Sequence, residues 1–215
     1  MVAWFLYMYI KKMISVIIPY KKDRGWLNDA VASVKNQWYK DYQLLLAHGD
    51  RTQGANINEG LKLAKGEYIK ILHDDDILPP NSLKDSLDGI HGFDFVCGDH
   101  QTFGDEIYCP NPVILEGCIP TLDRMIVCNQ IGGGTMLYRK DVLLAVGGYD
   151  ESLWAGEEYD LHLKLLSLGY KCNYVNKVVH NYRLHEKNKS YYMGPGTRKM
   201  RREYIRGIAK KYVYG

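Results

Sequence analysis

Three short apolar runs, each followed by a segment of helical periodicity, constrain this chain more than anything else in it. Ile14–Pro19 (ISVIIP) is continuous, β-branched and ended by proline, the pattern of a strand buried on both faces of a parallel sheet. Leu27, Ala30, Val31 and Val34 then recur at helical spacing, which gives one face to pack on that sheet. Tyr42–Ala47 is a second apolar strand, followed by His48-Gly49-Asp50 and a helix from about Ala55 to Lys65 that Gly66 stops. Glu67–Leu72 is the third strand and runs straight into His73-Asp74-Asp75-Asp76. Alternation of this kind predicts right-handed βαβ units in a doubly wound, mostly parallel sheet.

With 215 residues, 46% of them hydrophobic and 25% charged, the chain suits one globular core, and neither disorder nor a fibre. Its second half is less regular. Phe93–Cys97, Thr135–Arg139 and Val178–Arg183 read as strands, Asp141–Val146 and Tyr159–Leu168 as helices. From about Thr197 to Tyr212 the apolar residues Met200, Tyr204, Ile208 and Tyr212 recur every four positions, which predicts an amphipathic helix. Between Arg198 and Lys211 seven basic residues meet one acid, Glu203, so this stretch carries +6 and the remainder −3 of the net +3. That balance does not suit a nucleic-acid partner. For the basic helix three readings stand: a solvated face, attachment to an anionic membrane surface, or docking of an acceptor or partner. Five scattered cysteines without a C-x-x-C pair suggest neither a disulfide framework nor a zinc site, and fit a reducing, cytoplasmic setting. The apolar Met1–Ile10 is too short to span a bilayer and lacks the leading charge of an export signal.

The strongest chemical signal is Asp74-Asp75-Asp76 after the third strand, because ligands of open α/β sheets bind beyond the carboxyl ends of the strands. Adjacent carboxylates repel unless a cation sits among them, and Mg²⁺ or Mn²⁺ takes oxygen ligands together with substrate phosphates. A solvated acidic turn before Pro79-Pro80 is the plainer reading. No glycine-rich phosphate loop follows the first strand, where Pro19–Gly25 reads PYKKDRG, so a metal at the Asp run is the natural holder of a diphosphate. A second signal is Gly156-Glu157-Glu158-Tyr159-Asp160. Acids at a helix start are favoured by its dipole, yet three in four residues exceed what capping needs, and a carboxylate in a cleft suits general-base work on a sugar hydroxyl.

ISVIIPYKKDRGWLNDAVASVKNQ, GLKLAKGEYIKILHDDDILPPNSL, VGGYDE, GEEYDLHLKLLSLGY and YRLHEKNKS, in this order, resemble the nucleotide-sugar glycosyltransferases of family 2. The resemblance runs from Ile14 to Ser190 and implies a single-domain α/β fold of GT-A (Rossmann-like) type, a mostly parallel sheet flanked by helices. Residues 1–12 are then an N-terminal extension, 13–193 the glycosyltransferase domain and 194–215 a basic C-terminal helix. It also implies an inverting, metal-dependent transfer from a nucleotide-diphosphate sugar, UDP-sugar first, to an acceptor hydroxyl of a glycan, a lipid-linked molecule or a protein, using Mn²⁺ or Mg²⁺. Pro19, Tyr20 and Asp23 match the nucleotide-binding strand end, Asp50 a base or ribose contact, and Asn58 an asparagine of the next helix.

In the usual Asp-x-Asp-Asp, His73 stands for the first acid and Asp75 for the metal ligand. Asp74 then takes the ribose role and Asp76 supports the metal. Glu158 takes the place of the catalytic aspartate, with Glu157 and Asp160 as alternatives. His185 matches a segment that closes over the diphosphate and supplies a metal ligand, and Arg183 or Lys189 would contact phosphate. Two rivals remain: a nucleotidyltransferase that forms sugar nucleotides, and a silent module that binds nucleotide-sugar or carbohydrate without turnover.

Overall fold

The computed structural model describes residues 12–188 and 195–213. The N-terminal extension therefore lies outside the described residues except for Lys12, as do Lys189 and the boundary at 193/194.

Among the described residues seven strands form one sheet: β1 (Ile14–Tyr20), β2 (Tyr42–His48), β3 (Tyr68–Ile71), β4 (Phe95–Gly104), β5 (Ile114–Leu115), β6 (Leu137–Arg139) and β7 (Cys172–Leu184). Its order is β2-β1-β3-β6-β4-β5, with β7 along the other side of β4. β1 pairs in parallel with β2 and β3, and β4 with β7, whereas β6 runs antiparallel between β3 and β4 and β5 antiparallel to β4. The result is a mixed α/β sheet flanked by helices, with three parallel and three antiparallel strand pairings.

Alternation along β1 divides its side chains between two cores. Ile14, Val16 and Ile18 pack with α1 (Leu27–Lys35) and α3 (Ser82–Gly89), while Ile17 packs with Ile57 and Leu61 of α2 (Gln53–Leu63). Thr52 caps α2 through its Oγ1, which accepts the Ala55 N–H at 3.3 Å. That helix ends at Leu63 rather than Lys65, and Gly66 has a different task from the one its position suggests. A Cβ there would lie 2.5 Å from the Ser15 nitrogen, so glycine lets this turn press on the β1 backbone. The second half holds α4 (Leu122–Val127), α5 (Lys140–Ala145) and α6 (Glu157–Ser167). Gly169, at φ +83°, closes α6.

The basic tail is indeed a helix, α7 (Pro195–Lys210). Tyr204, Ile205, Ile208, Ala209 and Tyr212 turn inward and join the core beneath α6, while Met200 is exposed. The packed stripe is therefore 204/205/208/209/212, set by the position of α6.

Candidate functional site

Parallel β1 and β3 end at the same edge of the sheet, and antiparallel β6 begins there. The loop 72–77 after β3 is fastened to β7, since the backbones of Ile77 and Asn181 exchange hydrogen bonds of 3.2 and 2.9 Å. These connections bring His73–Asp76, Gly132–Thr135, Glu158 and the 180–188 segment to one place.

The three aspartates do different things. Asp76 is fully buried; its carboxylate accepts from His180 Nε2 at 3.0 Å and from the Arg183 N–H at 2.8 Å. Burial alone would raise its pKa, but His180 and His73 hold it well below the usual carboxylate range. Asp75 accepts from His185 Nε2 at 3.1 Å and from Arg24 Nη2 at 2.8 Å. Burial opposes its charge, and His185, His73 and Arg24 more than offset this, so it too stays ionised. Asp74 meets the same Arg24 Nη2 at 2.8 Å. Its burial outweighs that partner and its pKa is raised.

His185 is positioned by its surroundings. Its Nδ1 accepts the Lys187 N–H at 3.0 Å, and its backbone N–H donates to Asn188 Oδ1 at 2.7 Å. With Nδ1 so engaged, Nε2 is the atom presented to Asp75. The Trp26 ring lies 4.1 Å from the imidazole, with the Arg24 and Arg183 guanidinium groups 5.6 and 5.9 Å from the same indole. Arg183 also donates Nε to the Asp75 carbonyl at 2.7 Å.

Glu158 faces this cluster from the start of α6. Its Oε1 lies 3.5 Å from His73 Nε2, and His73 Nδ1 is 3.6 Å from Asp76 Oδ2. Buried His73 would ordinarily be neutral, but between these two carboxylates its pKa is raised well above 6.5. Burial likewise pushes Glu158 up, and the His73 charge pulls it down to about 2. His73, the departure from the expected aspartate, thus contacts Glu158, the other departure. Gly132-Gly133-Gly134 makes room for the arrangement. A Cβ on Gly133 would lie 2.9 Å from Glu158 Oε2, and one on Gly134 (φ +78°) 2.3 Å from His180 Cε1. Behind it, fully buried Lys70 donates to the Thr135 carbonyl at 2.9 Å, its pKa pushed by burial to about 7.

The other sequence candidates make contacts of their own. Pro19 is buried, and the Tyr20 ring packs on His48 at 4.8 Å. Asp23 turns its carboxylate to the Gly25 N–H at 2.7 Å, and exposed Asp50 pairs with Lys21. Asn58 is buried and holds Tyr149 by two backbone hydrogen bonds of 2.9 and 3.0 Å, besides Glu151 at 3.0 Å. Asp160 faces the tail helix, accepting from Tyr212 at 3.0 Å and pairing with Lys211 at 3.4 Å. Glu157 has no recorded partner among the described side chains and sits at the first turn of α6. Arg24, Trp26 and His180 carry site contacts that motif reading did not assign. Their one sequence signal is a cluster of cationic and aromatic types that the carboxylates would need nearby.

The donor set suits a hard divalent ion. Asp75 Oδ2 and His185 Nε2 already converge, and His73, Asp75 and Asp76 place ligand atoms within 4.8 Å of one another. Asp76 is taken up by His180, His73 and Arg183, whereas Asp75 shares its Oδ2 between Arg24 and His185, so an ion at Asp75 would take the place of one of these partners.

The profile of "Glycosyl transferase family 2" matches residues 44–147. An uncharacterized glycosyltransferase of Rickettsia typhi is 24% identical over 186 residues, covering 72% of this chain and 58% of that protein. One of Haemophilus influenzae is 27% identical over 136 residues, covering 58% of this chain and 45% of that protein. Among solved structures, S. aureus TarS 1–349 in complex with UDP-GlcNAc superposes with a TM-score of 0.67 at 18% identity, over 90% of this chain and 65% of that one. The mannosyltransferase PcManGT from Pyrobaculum calidifontis, in complex with GDP-Man and Mn²⁺, gives 0.60 at 11% identity, over 93% and 73%. The sheet and its flanking helices thus have the GT-A-type fold of these structures. The match to glycosyltransferase family 2 spans residues 44–147 of the 215. The chain spans 58%, 31% and 58% of the first three curated relatives.

Proposed function

We propose that this chain transfers a sugar from a nucleotide-diphosphate sugar, UDP-sugar in the first place, to an acceptor hydroxyl with inversion at the anomeric carbon. The observation that carries the reading is the meeting, at one sheet edge, of the Asp75–His185 contact with the Glu158 carboxylate beside His73. Support comes from the family and from structural relatives described with UDP-GlcNAc or with GDP-Man and Mn²⁺.

In this reading Asp75 would hold Mn²⁺ or Mg²⁺, joined by His185 Nε2 once its proton moves to Nδ1 and the Lys187 contact is given up, and the ion would supply positive charge to the leaving diphosphate. Arg24 lies between Asp74 and Asp75 and Arg183 beside them, so each guanidinium is within the same charged corner to meet phosphate oxygens. The Tyr20–His48 ring pair and Asp50 flank the nucleoside, beyond the ends of β1 and β2. Glu158 accepts the acceptor proton. His73 keeps it ionised and thereby weakens it as a base, so its proton arrives as the new C–O bond makes the hydroxyl acidic. Gly133, lacking a side chain, leaves the Glu158 carboxylate open to that hydroxyl.

The test is a thermal-shift panel of nucleotide sugars with and without Mn²⁺, followed by product analysis on an acceptor panel. A midpoint rise with UDP-sugars that requires metal, and release of nucleoside diphosphate, are expected. Pyrophosphate release would instead identify a nucleotidyltransferase, and binding with no turnover across the panel a silent module. Absence of any shift would overturn the reading.

A further inference from the structure

The tail helix has a second face that the core does not use. Lys199, Arg202, Arg206 and Lys210 are all exposed, and their spacing of three, four and four residues places them in a single stripe along α7. At 1.5 Å per residue the stripe is about 16 Å long. Tyr204, Ile205, Ile208 and Tyr212 occupy the opposite side, where they pack against the core. Among the described residues none of the four cations has an ion pair; Lys211, by contrast, is turned to Asp150 and Asp160. One exposed acid, Glu203, interrupts the stripe. Unpaired like charges repel, and nothing in the fold requires them in one row.

The flanks of this stripe are apolar. Met200 is 56% exposed, Val213 48%, and Trp154, whose ring lies 4.9 Å from Tyr204, 42%. Cations in a line with large apolar side chains beside them match the two layers of a bilayer interface, headgroup charge and acyl boundary. A nucleic-acid surface would instead use aromatic rings interleaved with the cations, and here Tyr204 and Tyr212 are turned inward.

We infer that α7 docks the protein on an anionic lipid bilayer through Lys199, Arg202, Arg206 and Lys210. The inner face of the same helix covers Gly156 and Asp160 of the segment that carries Glu158, so the docked protein holds that side of the cleft next to the lipid. This placement adds a lipid-borne acceptor to the proposed transfer and rests on that reading; the docking itself does not.

The experiment is co-sedimentation of the full chain with phosphatidylglycerol–phosphatidylcholine vesicles and with phosphatidylcholine vesicles alone. Wild type is compared with Arg202→Glu/Arg206→Glu/Lys210→Glu and with a control reversal, Lys35→Glu/Lys65→Glu, and melting curves verify that each variant folds. Expected are binding to the anionic vesicles only, loss on raising salt, and a fall of more than about tenfold in the triple variant but not the control, from roughly 1 kcal/mol per cation near the surface. Equal binding to neutral vesicles or an unaffected triple variant would overturn the inference. None of these readouts depends on donor binding or turnover.

Discussion

At the scale of single residues, the proposed chemistry turns on the contact between His73 and Glu158. Each stands where the family resemblance expects an aspartate, and two aspartates at this distance would repel. Glutamate brings its carboxylate to 3.5 Å from the imidazole, and the imidazolium neutralises it. Removing one partner of a buried pair leaves the other charge uncompensated, so His73→Asn should cost about 3 kcal/mol, at the lower end for partners that keep some exposure. In a double-mutant cycle with Glu158→Gln, denaturant melts should show a coupling of about 1–3 kcal/mol; strict additivity would mean that the two side chains do not act together. In turnover, Glu158→Gln is expected to lower the rate by about 10²–10⁴-fold while UDP affinity stays near wild type, as measured by calorimetry. Asp75→Asn should do the reverse first, abolishing the metal-dependent part of UDP binding.

Among the elements, the tail helix and the glycine turn are the supports on which the site rests. Ile208 is 2% exposed, against Gly156 at the start of α6. Ile208→Ala should destabilise by about 2–5 kcal/mol in urea melts, and because α7 braces the Glu158 helix, kcat should fall before nucleotide affinity does. Gly134→Ala faces both a positive φ and a Cβ 2.3 Å from His180. It should destabilise the fold and disturb Asp76 through His180, readable as loss of metal-dependent UDP binding.

Elements also differed in how far local pattern revealed them. β1, β2 and β3 were legible because strands buried on both faces show unbroken apolar runs. β4 and β7 extend well beyond Phe93–Cys97 and Val178–Arg183, to Gly104 and back to Cys172, because they pair with each other, and polar residues such as Asn173 and Asn181 join a ladder only when a partner strand lies alongside. Helix α3 after Pro79-Pro80, the short α4 and the two-residue β5 gave too little periodicity to be seen.

The whole molecule shows its charge arrangement in the pH dependence of stability. Glu158 has its folded pKa lowered from 4.5 to about 2, so its contribution is present above 4.5 and lost as pH falls toward 2. His73, raised above 6.5, contributes fully below 6.5 and loses it as pH climbs through the raised value. Lys70 acts in the opposite sense. Its folded pKa of about 7 lies below 10.5, so burying it becomes less costly between those limits. The difference in melting midpoint between wild type and His73→Asn should therefore be greatest from pH 4.5 to 6.5 and shrink on either side. A difference independent of pH would show that the imidazole acts by packing alone.

Sequence by itself determined the alternating sheet and the acidic edge, since strand burial and helical spacing are local properties that survive in one dimension. It also marked Asp75, Glu158 and His185 as groups worth joining, though they lie after β3, in α6 and after β7, up to 110 residues apart. Only the tertiary structure decided what each does. Asp76 became a buried anchor for β7, Asn58 a latch on Tyr149, Asp160 a dock for the tail and His73 the counter-charge of Glu158. The reason is physical: a carboxylate or imidazole takes its protonation state and its task from neighbours within a few ångströms, and in a folded sheet those neighbours come from distant strands.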